Sequence, residues 1–109
     1  MCQIESVAGA EAIESIAAVD GVDALFVGPS DLAASMGLIG RSAHPDVVAA
    51  VDDAIARIVA AGLPAGVFAT TPDLVERWTQ RGATFVAVGV DISLLAKAAI
   101  DLAARYRSG

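Results

Sequence analysis

The segment ALFVGPSDLAAS, residues 24–35, runs from four apolar residues through a Gly-Pro-Ser-Asp turn into a short helical pattern. A run of about four residues without polar positions fits a strand buried on both faces, the pattern of a parallel sheet. The question is why such a strand should end in a carboxylate, Asp31. Ser30 or Asp31 capping a helix is one answer. A place where backbone N–H groups and a carboxylate meet a ligand is the other.

Three further runs resemble the first: MCQI at 1–4, AGVF at 65–68 and FVAV at 85–88. Each precedes a helical pattern. Ile13, Ile16 and Ala17 share a face within residues 9–18. Val47, Val48, Val51, Ile55, Ile58 and Val59 stripe a helix expected over 46–61, stopped by Gly62 and Pro64. Thr71 is a cap, Pro72 opens the next helix, and Leu74, Val75 and Trp78 face inward before Gly82. Asp91 caps the last helix, which turns Leu94, Leu95, Ala98 and Leu102 inward. Trp78 and Tyr106 read as packing residues. GVDALFVG and GATFVAVG form a weak internal repeat.

The order is βα repeated four times, which predicts a parallel sheet with right-handed crossovers. Two α/β architectures fit: a small open doubly wound sheet, or part of an eight-stranded (β/α)8 TIM barrel. A complete barrel takes about 250 residues, and the chain has 109, so it would be one domain, 1–109, holding only the second half. The start in mid-strand favours the truncated barrel. So does the mean hydropathy of +0.65, because a half-barrel leaves interior side chains uncovered.

Composition narrows the function. The net charge is −6 with no Lys/Arg stripe, which argues against nucleic acid as a partner. No apolar run approaches the roughly 18–20 residues that cross a bilayer, so no membrane role is expected. No leader is visible, and a cytoplasmic location is the natural reading. The single cysteine, Cys2, excludes an internal disulfide and a Cys-based zinc site, and is expected to be an ordinary buried thiol.

Ligands of barrels and open α/β sheets sit at the C-terminal ends of strands. Those ends offer Gln3, Glu5 and Ser6; Gly28, Pro29, Ser30 and Asp31; Ala69, Thr70 and Thr71; and Gly89, Val90 and Asp91. Glu5 and Asp31 come from adjacent strand ends, and two such carboxylates can share one hard divalent cation while leaving positions open. A salt-bridged acid beside a helix cap is the competing reading. Gly28 lets the backbone approach a ligand, Pro29 fixes a turn dihedral, and the N–H groups of Ser30 and Asp31 begin the helix SDLAAS, where an anion is favoured.

QIES, then GVDALFVGPSDLAASMG, then HPDV, then ATFVAVGVD resembles the C-terminal half of the HpcH/HpaI aldolases. The resemblance implies a (β/α)8 barrel of which this chain supplies the fifth to eighth βα units (strands 5–8). It implies metal ligands at Glu5 and Asp31, with Mg2+, Mn2+ or Co2+ as the cofactor. Gln3, Gly28, Pro29, Ser30 and Asp31 would bind substrate, the Ser30 and Asp31 amides holding the carboxylate of pyruvate. Val90 would line the pocket wall. The implied reaction is reversible cleavage of a 4-hydroxy-2-oxo acid to pyruvate, or a related 2-oxo acid, and an aldehyde. Lys97 is the only lysine and lies in the last helix, which disfavours a Schiff-base mechanism.

Family members are typically hexamers whose last helix packs on a neighbouring subunit. Their histidine base and substrate arginine belong to the first half of the barrel. His44, in SAHPDV, reads as a loop or cap residue, and Arg41 as a solvated charge. The chain alone is therefore expected to be inactive. The alternative is a non-catalytic half-barrel that binds a metal or anion, or that assembles with another half-barrel.

Overall fold

The computed structural model describes residues 1–107. Four parallel strands form one sheet in the order β1 (Cys2–Ile4), β2 (Leu25–Val27), β3 (Ala65–Phe68), β4 (Ala83–Ala87). Spatial order follows chain order without reversal. A doubly wound sheet reverses at a switch point, so the barrel-type arrangement is the one adopted. Adjacent strands pair Ile4 with Val27, and Val27 with Val67. The β3–β4 pairing shifts between Ala65 and Gly66, and the expected strand at 85–88 begins earlier, at Ala83.

Helices α1 (Val7–Glu11) and α2 (Ile13–Ala17) follow β1. They replace the single helix expected over 9–18. The break falls at Ala12, next to the Glu11 carbonyl that accepts a hydrogen bond from Arg57 at 3.3 Å. Helices α3 (Pro29–Ser35) and α4 (Pro45–Ala60) follow β2, α5 (Pro72–Gln80) follows β3, and α6 (Asp91–Tyr106) follows β4. His44 is the N-cap of α4, its Nδ1 accepting from the Asp46 N–H at 3.2 Å; Thr71 caps α5.

One face of the sheet is buried. Leu25, Val27, Ala65 and Val67 pack with Val47, Val51, Ile55 and Ile58 of α4, and with Ile13, Leu32 and Trp78. Alternation along the strands turns Gln3, Phe26 and Phe85 to the other face. There the Phe26 and Phe85 rings meet across Gly66, their centroids 5.9 Å apart. A Cβ at Gly66 would lie 2.6 Å from the Phe26 ring, so glycine is what lets the aromatics close over β3. Phe85 remains 55% exposed.

Four expectations fail. Leu94, Leu95, Ala98 and Leu102 do not face inward, since α6 has no buried residue. Tyr106, expected to pack, is 81% exposed. Both lie on a helix that contributes nothing to the core of its own chain. Cys2 is exposed and not buried: it lies at the start of β1, the edge strand, where no described residue covers it. Asp91 is not the N-cap of α6; that is Val90, and Asp91 instead accepts from the Ile92 N–H at 2.8 Å. No helix among the described residues is long and apolar enough to cross a membrane.

Two ion-pair clusters fasten the helical layer. Arg57 of α4 bridges Glu14 of α2 and Asp53, and holds the Glu14 carboxyl down at about 2. Asp52, buried on α4, accepts from Arg77 at 2.6 Å and pairs with Arg81 at 3.3 Å. The Arg77 hydrogen bonds hold its pKa below the usual carboxylate value against the opposing effect of burial, and Arg81 adds charge. The indole N–H of Trp78 makes no hydrogen bond of ordinary geometry, although its proximity also favours the charged Asp52.

Asp52→Asn is expected to destabilise the chain by ~1.5–3 kcal/mol, the range for hydrogen bonds to a charged group. The folded-state pKa of Asp52 is depressed, so its contribution is complete above about pH 4 and falls away as pH drops toward the folded value. Melting curves of the two proteins should therefore converge in acid; a gap constant down to the lowest pH at which both fold contradicts this assignment.

Candidate functional site

The tips of β1 and β2 form the site. Beyond the last strand pair, the Gly28 N–H donates to the Ile4 carbonyl at 2.9 Å, which carries the ladder one step past β2. Glu5 follows Ile4 directly, and Gly28 is the N-cap of α3, so the two strand ends leave the sheet side by side. Pro29 has no N–H to leave unpaired and occupies the first helical position, where its fixed φ suits the helix. The Ser30 and Asp31 N–H groups then fall in the first turn, where no intrahelical acceptor exists. Leu32 is the first residue to donate back, to Gly28 at 2.9 Å.

The Glu5 segment is held from two sides. Ser6 caps α1, its hydroxyl accepting from the Gly9 N–H at 3.0 Å. Ser35, at the end of α3, accepts from the Val7 N–H at 3.0 Å. That bond links the loop carrying Glu5 to the helix carrying Asp31.

Gln3, Glu5 and Asp31 all neighbour Gly28, Glu5 through its Cβ. A Cβ placed there would lie 3.6 Å from Asp31 Oδ2, 3.6 Å from Glu5 Cβ and 2.9 Å from Gln3 Nε2. Glu5 and Asp31 are both exposed, and neither forms an ion pair or side-chain hydrogen bond among the described residues. A cleft of about 230 Å³ is lined by Gln3, Phe26, Gly28, Pro29, Ser30, Asp31 and Phe68; Glu5 is not part of its lining. Two free carboxylates on adjacent strand tips are a hard-oxygen donor set that fits a divalent cation and leaves it open to other ligands. Among the described residues no group of three or more His, Cys, Asp or Glu is placed to hold a metal.

Of the residues singled out in the sequence, the fold brings together Gln3, Glu5, Gly28, Pro29, Ser30 and Asp31. Val90 does not line this cleft; it stands 40% exposed at the start of α6. Ala69, Thr70 and Thr71 line a different, larger cleft of about 430 Å³ with Pro72, Val75, Glu76 and Val88. That cleft is mostly apolar and holds one acid, so its size does not make it the better chemical candidate. Phe26 and Phe68 were not picked out from the sequence, although their alternation with the buried Leu25, Val27 and Val67 places them on the inner face. The Ser35 contact spans 28 positions in the chain and has no local signal.

The sequence profile of the HpcH/HpaI aldolase/citrate lyase family matches residues 1–98. The chain belongs to this family. Among HpcH/HpaI relatives, a hydroxypyruvate/pyruvate aldolase of Cupriavidus necator is 49% identical over 107 residues, 98% of this chain and 40% of that protein. A 4-hydroxy-2-oxo-heptane-1,7-dioate aldolase of Salmonella paratyphi C is 45% identical over 109 residues, 97% of this chain and 41% of that protein. The crystal structure of a family protein from Burkholderia cenocepacia superposes with a TM-score of 0.83 at 40% identity, covering 97% of this chain and 41% of that one. The chain thus spans about two-fifths of the HpcH/HpaI relatives it matches. The structural neighbours are TIM barrels, and these four βα units are a portion of that fold.

Ser35→Ala is expected to loosen the loop carrying Glu5. Hydrogen exchange at the Val7 amide should rise while the melting temperature drops by no more than about 5 °C. Unchanged protection of Val7 contradicts the proposed link.

Proposed function

We propose that this chain carries the cation-binding and 2-oxo-acid-binding part of a metal-dependent aldolase. The whole enzyme reversibly cleaves a 4-hydroxy-2-oxo acid to pyruvate, or a related 2-oxo acid, and an aldehyde. The observation that carries this reading is the convergence of Glu5, Asp31 and Gln3 around Gly28, at the strand-tip end of a fold portion shared with named aldolases. Glu5 and Asp31 would hold Mg2+, Mn2+ or Co2+. When bound there, the cation would supply Lewis-acid stabilisation of negative charge on the 2-oxo acid.

The chain's own groups orient the substrate. The Ser30 and Asp31 amides are donors for its carboxylate, and the Gln3 carboxamide stands beside the same cleft for its keto oxygen. Phe26 and Phe68 give the cleft an apolar wall that sheds water around these donors. Proton transfer is a different matter. His44, the sole histidine, is engaged at the start of α4, and no arginine lines the cleft. A base and an arginine supplied by other βα units complete the site in this reading.

The exposed apolar residues of α6, among them Leu95 and Leu102, support packing of that helix on a neighbouring subunit of a homo-oligomer, a hexamer in the family. The bare inner face around Phe26 and Phe85 favours a second reading, a non-catalytic half-barrel that pairs with another. Native mass spectrometry showing a homodimer indifferent to Mn2+ would support that second reading.

Calorimetric titration with MnCl2 should show one site. Glu5→Gln and Asp31→Asn should each weaken it at least ~10-fold, about 1.4 kcal/mol. Equal affinity in wild type and Glu5→Gln contradicts the shared cation. With pyruvate, Mn2+ and an aldehyde, the 109-residue chain alone should give no turnover. Turnover abolished by Glu5→Ala would overturn the need for residues from elsewhere.

A further inference from the structure

Gly28 has no conformational reason to be glycine. Its φ of −101° and ψ of 92° lie in the extended region open to any residue. Its backbone is also fixed, with its N–H on the Ile4 carbonyl and its own carbonyl accepting from Leu32, both at 2.9 Å. What glycine provides here is space. A Cβ would stand at ordinary contact distance, 3.6 Å, from Asp31 Oδ2 and from Glu5 Cβ, but only 2.9 Å from Gln3 Nε2. The tight contact is with the far end of a flexible, exposed side chain, which can rotate away.

We propose that Gly28 is a positioning residue for Gln3: by lacking a side chain it seats the Gln3 carboxamide against the Gly28 backbone, in the cleft beside the Gly-Pro-Ser-Asp turn. The role of that carboxamide toward substrate rests on the functional reading above; its seat on Gly28 does not. A methyl group at position 28 therefore evicts one group selectively. The fold survives, both carboxylates stay, and only the amide leaves. This distinguishes Gly28 from Gly66, where an added Cβ would strike the Phe26 ring at 2.6 Å in the middle of the sheet.

The test is NMR of the 109-residue chain, with the Gln3 side-chain NH2 signals assigned by their loss in Gln3→Ala. Wild type should show cross-relaxation between those protons and the Gly28 Hα protons. Gly28→Ala should melt within about 2 °C of wild type and lose that contact. Absence of the contact in wild type, or its persistence to residue 28 in Gly28→Ala, overturns the proposal. Should Gly28→Ala not fold, the Gln3→Ala/Gly28→Ala double variant decides. Folding like Gln3→Ala confirms that Gln3 is the obstacle, and failure to fold refutes it. Added Mn2+ tests the functional reading separately. It should broaden the Gln3 NH2 signals in wild type far more than in Gly28→Ala, while calorimetric Mn2+ affinity changes by no more than about two-fold. No broadening in wild type, with the Gly28 contact intact, rejects the cation site and leaves the seating of Gln3 established.

Discussion

The hydrogen bond from the Gly28 N–H to the Ile4 carbonyl is the contact on which the site depends. It is one rung beyond the last β1–β2 pair, Ile4 with Val27. Parallel pairing places both C-terminal strand ends at one edge of the sheet, and this rung carries them past it without letting them splay. A one-residue slip would reverse which side chains face the helices and which face the cleft. Leu25 and Val27, fully buried against α4, make that slip costly. Burial on one face of the sheet thus fixes the position of polar groups at its tip.

The helical layer serves the same end at longer range. Asp52 with Arg77 and Arg81 joins α4 to α5, Arg57 with Glu14 joins α4 to α2, and Ser35 with the Val7 N–H joins α3 to α1. The face opposite is unfinished by comparison. Phe85 and the apolar residues of α6 remain exposed, and relatives of more than twice this length carry further chain.

Local signals carried most of the fold. Apolar runs gave the strands, with AGVF matched residue for residue as β3, and Thr71-Pro72 marked the start of α5. His44 was readable as a cap because proline follows it. Features that depend on distant partners were not legible. The break at Ala12 lies next to a carbonyl engaged by Arg57, and the exposure of Cys2, Leu95 and Tyr106 reflects what does not pack on them. Periodicity identifies an apolar face but not the chain that covers it. At the site, spacing showed that Glu5 and Asp31 leave adjacent strands. That Gln3 reaches over Gly28 needed coordinates, because GPSD reads equally well as a turn in which glycine is a conformational choice.

The central claim is that two acids from neighbouring strand tips hold one cation between them. A crystal structure grown with MnCl2, read by anomalous scattering, tests it most directly. The account predicts a single strong peak with a carboxylate oxygen of Glu5 and one of Asp31 both about 2 Å away. A peak bound to only one of them, or carboxylates turned apart with the ion elsewhere, would contradict it.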